Sequence, residues 1–471
     1  MSVRAASAPL SPAATRGAIA ADVRAARTRL LLEGPISSTL LRLAGPNVIA
    51  MFVMAAMSIA EGFFAGLMGV SALAGLALVF PLVMLTQMLS GGSIGGAISA
   101  AVARSLGAGD EARAGALLAA AWIVALGFAL ASAVLMALFG RTIFGLLGGE
   151  SGALQAAAGY ASVFFPGCVA LWLFQATLSV IRGTGNMATP SGLLFVVSLG
   201  SIPLSGALAL GWGPFPEFGM AGLAMGLVLA NLIGAVAAFA FVLSGRAGIS
   251  LAGAFGRLER GLFGDILRVG LIASVNAVQT VLTIVLMVAL VGRFGEAALA
   301  GYGLGARLEF LMIPVVFGIG AALTAMVGAN IGAGNLARAL RVAWTGAFAA
   351  AAIVGGIGLV VALAPDLWLG IFLDASDGAA LAAGRAYFRI VAPFYACFGL
   401  GLALYFACQG AGKMVWPVIG SLCRMAAAFG GALLLIALTD GGVETVFIGI
   451  AAGMLTYGAV TGLSVWKTRW R

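Results

Sequence analysis

The stretch SALAGLAL at residues 71–78 returns as AALAGYGL at residues 297–304, in the second half of the chain. Other segments repeat at almost the same spacing. LGAGD at 106–110 corresponds to IGAGN at 331–335, and RGTGNM at 182–187 corresponds to QGAGKM at 409–414. The chain therefore contains two copies of one unit in nearly unbroken register.

The composition is that of a membrane protein. Of 471 residues, 62% are hydrophobic and only 9% are charged, whereas a soluble protein carries about 25% charged residues. Uncharged stretches of about 20 residues recur, and each can cross the hydrocarbon core as a helix. They are too long, and alternate too little, for barrel strands. A duplicated unit in so apolar a chain indicates a membrane transporter.

Twelve spans can be placed, six in each copy. They cover roughly 40–66, 71–102, 116–140, 156–181, 190–212, 219–244, 265–292, 301–327, 341–365, 384–409, 415–438 and 442–466. An even number of spans returns the chain to its starting side, so the two copies share one orientation. The predicted fold is an all-α integral membrane protein with twelve transmembrane helices in two pseudo-symmetric six-helix lobes, 36–244 and 265–471.

Two segments lie outside the predicted lobes. Residues 1–35 are rich in Ala, Ser and Arg and lack the long apolar core of a secretory signal, so a mobile cytoplasmic tail is predicted. Residues 245–264 are the most polar internal segment. They predict a cytoplasmic linker with a short amphipathic helix on the surface.

The distribution of basic residues predicts the topology. Roughly twenty Lys and Arg residues, Arg424 among them, fall on or near the side that carries both termini, and only Arg141, Arg293, Arg385 and Arg389 fall toward the other. This positive-inside bias predicts an inner-membrane protein with both termini in the cytoplasm. The net charge of +9 is then explained by topology, and no nucleic-acid partner is predicted.

Glycines mark turns and close contacts. In the repeated G-A-G-D/N segment, Gly107 or Gly109 can adopt the positive φ that ends a helix, and Asp110 can cap the next helix. The segment GGSIGG at 91–96 places small residues four apart on one face of span 2. This spacing predicts a close approach between helix backbones.

Glu61 is the most conspicuous ionisable residue inside a span. It lies in span 1, about two turns from the outer end. A carboxylate at that depth is costly unless it faces protein or water, so Glu61 is the predicted ion-coupling residue, which would bind a proton or ligate Na⁺. The alternative is a structural pairing or an outward-reaching side chain. Met287 occupies the corresponding position, so this site belongs to the N-terminal copy alone.

Further candidates are predicted for substrate binding. Arg307 and Glu309 of span 8, with Asn276 and Gln279 of span 7, are expected either to contact a cationic substrate or to form a structural charge network. Methionines adapt to varied ligands, and aromatic faces attract lipophilic cations. The residues predicted on this basis to line the cavity are Met54, Met57, Trp172, Gln175 and Tyr395.

Several segments together resemble the multidrug and toxic compound extrusion (MATE) family over about residues 36–467. They include LLRLAGP at 40–46, ARSLGAGD at 103–110, IRGTGN at 181–186, YGLGARLE at 302–309 and QGAGKM at 409–414. YGLGARLE is most similar to the DNA-damage-inducible-protein branch. The resemblance implies two lobes around a V-shaped cleft, alternating access, and export of small amphipathic cations driven by inward H⁺ or Na⁺. It also implies an acidic residue at the position of Glu61.

The sequence departs from the ion sites that the resemblance implies. Ser201 and Ser205 stand where proton-coupled members often carry Asn and Asp. A sodium-coupled branch carries carboxylates on helices 7 and 10, but spans 7 and 10 here contain none. One carboxyl group in an apolar lobe favours H⁺ over Na⁺, because Na⁺ requires several oxygen ligands.

Other functions are less well supported. A lipid-linked precursor flippase of the same superfamily is the alternative, but such proteins usually line their cavity with several basic residues. The chain has no histidine, no ATP-binding motif and no nucleophile–base constellation, so an enzyme is not predicted. Its four cysteines lack metal-ligand spacing. A monomer in membrane lipid, without cofactor or metal, is expected.

Overall fold

The computed structural model describes residues 12–149, 151–249, 254–374, 376–439, 441–468 and 470. The described residues are mostly helical, and no strand occurs among them. Residues 1–11 of the predicted tail, 250–253 of the predicted linker and the C-terminal positions 469 and 471 lie outside the described residues.

Twelve helices in the described part of the chain are long and apolar enough to cross a membrane. The N-terminal lobe contains α1 (Ile36–Leu67), α2 (Val70–Gly107), α3 (Glu111–Leu146), α4 (Gly152–Gly183), α5 (Ala188–Leu210) and α6 (Gly219–Leu243). The C-terminal lobe contains α7 (Arg260–Gly292), α8 (Glu296–Gly332), α9 (Leu336–Leu363), α10 (Gly378–Ala411), α11 (Val415–Thr439) and α12 (Val443–Thr468). The predicted all-α, twelve-helix fold is confirmed.

The predicted linker differs in detail from the observed one. Its described part contains a single 3₁₀ turn, Phe255–Arg257, and α7 begins at Arg260. No amphipathic α-helix occurs among the described linker residues. Ala247 and Ile249 are buried against the N-terminal lobe, so this segment is fastened to the protein by apolar packing.

Each lobe has its own hydrophobic core. Trp172, Phe164 and Phe144 are among the largest buried side chains of the N-terminal lobe, and Tyr387 and Phe447 are among those of the C-terminal lobe. Large apolar side chains on the outer surfaces of the helices remain exposed. This distribution suits a protein whose surroundings are lipid, which solvates such side chains.

The repeated turns form as predicted. Gly109 has φ +77° and Gly334 has φ +73°. The side chain of Asp110 accepts a hydrogen bond from the backbone N–H of Arg113 at 2.9 Å and so caps α3. Asn335 caps α9 in the same way. These turns join α2 to α3 and α8 to α9 on the face of the bundle where α1 and α7 begin, which we call the terminal face.

The two lobes touch closely at the terminal face. A Cβ atom at Gly107 would collide with the carbonyl oxygen of Ala329, and one at Gly332 would collide with that of Arg104. Gly107 and Gly332 occupy equivalent positions in the repeat, as do Arg104 and Ala329. The contact between α2 and α8 is therefore pseudo-symmetric, and it closes the terminal face.

A helix at the N-terminus, Pro12–Glu33, lies across this contact. Arg24 forms an ion pair with Glu111 of α3 at 2.5 Å. At the other end of the helix, Asn330 of α8 donates a hydrogen bond to the backbone oxygen of Leu31 at 3.1 Å. Within the predicted tail the structure places a helix from residue 12 onward, and its contacts reach both lobes.

Substituting Gly332 with alanine is expected to destabilise the closed arrangement. The added methyl group would collide with the backbone of Arg104, which can move away only if helix α2 moves. Overpacking of this kind costs about 1–3 kcal/mol. The apparent melting temperature of the purified protein in detergent should fall. Gly127→Ala is the matched control, since a Cβ at Gly127 has no neighbouring atom within 4 Å. Equal melting temperatures for the two variants would contradict the close contact.

Candidate functional site

An open cavity lies between the lobes, near the middle of the helices. Most of its wall comes from α7, α8 and α10, with further residues from α2, α11 and α12. Its cavity volume is about 210 Å³, which is below the roughly 300–1,000 Å³ of sites for drug-sized molecules. A ligand of that size would therefore extend into the open part of the cleft.

An irregular stretch of α2 forms the part of the cavity nearest the terminal face. Met88–Ser93 adopt a π-helical turn, and Met88, Gly92 and Ser93 line the cavity. Gln409 of α10 donates hydrogen bonds from Nε2 to the carbonyl oxygens of Gly92 at 3.0 Å and Ser93 at 3.1 Å. The amide of Gln409 therefore joins the two lobes beside the cavity.

Aromatic rings provide much of the remaining wall. Phe310 and Phe317 of α8 face the cavity together with Tyr405 and Phe406 of α10. Phe317 and Phe406 pack edge to face, with ring centroids 4.8 Å apart. Ring faces of this kind attract lipophilic cations.

Glu309 of α8 places a carboxyl group in this cavity. Its Oε1 accepts a hydrogen bond from the hydroxyl group of Tyr387, which belongs to α10 and is fully buried. The tyrosine holds one oxygen of the carboxyl group. The cavity therefore contains a positioned acceptor of hydrogen bonds and positive charge.

Arg424 of α11 places a guanidinium group in the same cavity. Its Cζ lies 5.4 Å from the ring centroid of Phe398 and 5.6 Å from that of Tyr457. The sequence predicts Arg424 on or near the terminal side, and the structure adds that its side chain lines the cavity. At 1.5 Å per residue, Arg424 lies ~14 Å along α11 from Val415, deep in the span. Its place inside an apolar run was the signal that could have identified it.

Glu61 lies in a separate environment, inside the N-terminal lobe. The residue is only 7% exposed. The hydroxyl group of Tyr160, on α4, donates a hydrogen bond to its Oε1 at 3.5 Å. Glu61 is not among the residues that line the cavity. Its carboxyl group is enclosed by protein, as an intramembrane carboxyl group must be unless it meets water.

Tyr160 and Tyr387 occupy equivalent positions in the repeat. Their spacing equals that between RGTGNM and QGAGKM on the same two helices. Each hydroxyl group donates to a glutamate, but Glu61 comes from α1 and Glu309 from α8. Sequence reasoning missed both tyrosines, although the register of the repeat could have identified them as a pair.

The other predicted charge-network residues do not gather at one point. Asn276 lines the cavity. Gln279 is buried and donates to the hydroxyl group of Thr283 at 2.7 Å. Arg307 lies outside the cavity lining, with its Cζ 5.8 Å from the ring centroid of Phe372. Arg307 and Glu309 are two positions apart on α8, so they point in different directions.

The predicted cavity-lining residues pack inside the lobes. Trp172 stacks on Phe128 with ring centroids 5.2 Å apart, and Tyr395 is fully buried in the C-terminal core. The remaining three residues, Met54, Met57 and Gln175, lie within the N-terminal lobe and also do not line this cavity. Residue type alone did not separate side chains that pack between helices from those that face the cleft.

Known proteins match both the sequence and the fold. A family model described as MatE matches residues 46–206 and 272–432, two segments that stand in the register of the repeat. The probable multidrug resistance protein NorM of Deinococcus radiodurans is 29% identical over 451 residues, which cover 91% of this chain and 95% of that protein.

Two further proteins extend the comparison. The FAD transporter of Shewanella oneidensis is 26% identical over 321 residues, which cover 66% of this chain and 68% of that protein. A solved MOP superfamily transporter from Pyrococcus furiosus shares the fold, with a TM-score of 0.86, 22% identity, and coverage of 94% of this chain and 97% of that one.

Replacing Gln409 with methionine is expected to destabilise the protein, because the carbonyl groups of Gly92 and Ser93 lose their donor while side-chain volume is kept. An unsatisfied buried polar group costs about 1–3 kcal/mol, so the apparent melting temperature should fall. Gln87→Met in α2 is the matched control, since the side chain of Gln87 makes no hydrogen bond in the described part of the chain. No difference between the variants would disprove the bridging role.

Proposed function

The chain belongs to the MatE family, and on that premise we propose that it is a secondary-active exporter of amphipathic organic cations, driven by inward flow of H⁺ rather than Na⁺. Members of this family are transporters and not enzymes. One observation carries the proposal. Two carboxyl groups of the protein lie in different places. Glu61 is buried inside the N-terminal lobe, and Glu309 lines the aromatic cavity between the lobes. The YGLGARLE segment supports assignment to the DNA-damage-inducible-protein branch.

We propose that the terminal face is cytoplasmic and that the protein resides in the inner membrane, as the positive-inside bias indicates. Gly107 and Gly332 bring the lobes together at that face. The described arrangement is then closed toward the cytoplasm. Alternating access would separate α2 from α8 there and close the cavity on the opposite side.

Glu61 is proposed to bind the coupling proton. A neutral carboxyl group is tolerated inside the apolar N-terminal lobe, whereas an ionised one requires a compensating partner or water. Loading or releasing one proton therefore favours different packings of α1 against α4. Exchange of one inward proton for one outward monovalent cation moves no net charge, so the pH gradient drives it. A difference of one pH unit is worth about 1.4 kcal/mol, or a tenfold concentration of substrate.

Glu309 is proposed to attract the cationic group of the substrate. Its carboxyl group lies in the cavity beside Phe310 and Phe317. An aromatic ring system on the substrate would pack on these side chains, and its positive charge would lie near the carboxylate. A pocket built mainly from such side chains accepts ligands of varied shape.

Glu61→Gln is expected to abolish gradient-driven transport while leaving substrate binding within about twofold, because the amide keeps the shape of the side chain but cannot take up a proton. Transport of a fluorescent organic cation into inside-out proteoliposomes measures the first effect, and fluorescence anisotropy measures the second. Glu217→Gln, at an exposed glutamate, is the matched control and should behave as wild type. Undiminished pH-driven transport by Glu61→Gln would overturn the coupling role.

A second experiment identifies the coupling ion. Wild-type proteoliposomes are expected to accumulate the dye under a pure pH gradient and to show no accumulation under a pure Na⁺ gradient at equal pH, because Glu61 alone offers too few oxygens for Na⁺. FAD is added as a competitor in parallel, since one relative is a FAD transporter. Accumulation driven only by Na⁺ would contradict H⁺ coupling.

A further inference from the structure

We infer that Arg424 is an anion-binding subsite of the cavity, so that preferred substrates carry an anionic group, such as a carboxylate or phosphate, in addition to a cationic aromatic body. The inference rests on the proposed export function, because it specifies the substrate class of the same cavity. The surroundings of the Arg424 guanidinium group, which lines the cavity, indicate this substrate class.

The first observation is that Arg424 has no polar partner among the described residues. Its side chain makes no hydrogen bond and no ion pair there. A guanidinium group has five N–H donors and remains charged. Within a membrane span, such a group needs acceptors. The cavity that it lines is the space from which an acceptor can approach.

The second observation is how Arg424 is held. Phe398 and Tyr457 both lie within cation–π distance of its Cζ. Aromatic rings attract the positive charge of a guanidinium group, whereas carboxylates and phosphates bind its N–H edge. These ring contacts therefore hold Arg424 without satisfying its N–H donors.

The third observation concerns Glu309, the acidic residue of the same cavity. Its carboxyl group accepts from Tyr387, and it forms no ion pair with Arg424 in the described part of the chain. The carboxyl group and the guanidinium group thus line the same cavity without forming an ion pair with each other. A ligand with both a positive and a negative group would satisfy both.

The helix around Arg424 is also irregular. Ala426–Gly430, which follow Arg424 closely in the chain, form a π-helical turn in α11. The other described π-helical segment, Met88–Ser93, contributes to the wall of the same cavity. Such turns occur frequently at functional sites, and here both are associated with the cavity.

The test compares two dyes that differ in one charge. Rhodamine 110 has a free carboxylate, and rhodamine 123 is its methyl ester. Fluorescence anisotropy with the purified full-length protein should show wild type binding rhodamine 110 at least as tightly as the ester. Arg424→Gln should weaken rhodamine 110 binding about tenfold and change rhodamine 123 binding less than about twofold, since only the acid loses a charge-assisted bond.

Two further variants complete the design. Arg293→Gln is the matched control, because Arg293 belongs to the same lobe, is exposed just after the end of α7 and lies outside the cavity. It should leave both affinities unchanged. Arg424→Lys keeps the charge but not the planar fork, so it should give an intermediate loss for rhodamine 110. If Arg424→Gln does not fold, the wild-type dye preference and Arg424→Lys decide the question.

Equal losses for both dyes would overturn the inference, because they would show that Arg424 supports the cavity or Glu309 without contacting an anion. A tenfold preference of wild type for the ester would overturn it as well. The proposed function fails separately: if wild-type proteoliposomes move neither dye under any ion gradient, export itself is disproved. Gradient-driven transport with unaltered dye selection in Arg424→Gln would leave export intact and reject only the anion subsite.

Discussion

The close contact between α2 and α8 at the terminal face is the constraint on which the rest of the structure depends. Gly107 and Gly332 let each helix end reach the backbone of the other, at positions where any side chain would collide. Because the two glycines are equivalent in the repeat, the contact lies close to the pseudo-symmetry axis. The lobes are therefore joined where they meet that face, and a cavity remains between them farther along the helices. A small-residue contact of this kind can also separate without leaving unpaired charges behind.

The symmetric scaffold carries an asymmetric set of charged groups. Tyr160 and Tyr387 are equivalent in the repeat and each donates to a carboxyl group, but Glu61 is enclosed in the N-terminal lobe and Glu309 lines the cavity. Under the proposed function, this difference separates two tasks. Glu61 inside one lobe would respond to the ion through packing, while Glu309 at the cavity would respond to the substrate directly.

Arg424 changes the electrostatic description of the cavity. An acidic, aromatic pocket would select cations alone, whereas a guanidinium group beside Phe398 and Tyr457 adds a site of opposite sign. Burying two charges that form no ion pair with each other is costly in a membrane span, and a ligand that carries both signs would compensate both. Binding of such a ligand would therefore change the free energy of the cavity. Alternating access requires this, because a substrate can shift the balance between conformations only if it binds them with different free energies.

The sequence by itself determined the twelve helices, the duplication, and the capped turns at Asp110 and its repeat equivalent. These features follow from local hydropathy, backbone chemistry and spacing, which are properties of contiguous residues. Only the tertiary structure decided which polar residues share a cavity: it brought Glu309 and Arg424 together and placed Trp172 within a lobe core. In a span where nearly every residue is apolar, hydropathy carries no information about which side of a helix faces protein, lipid or cleft. That choice depends on how helices far apart in the chain pack against one another.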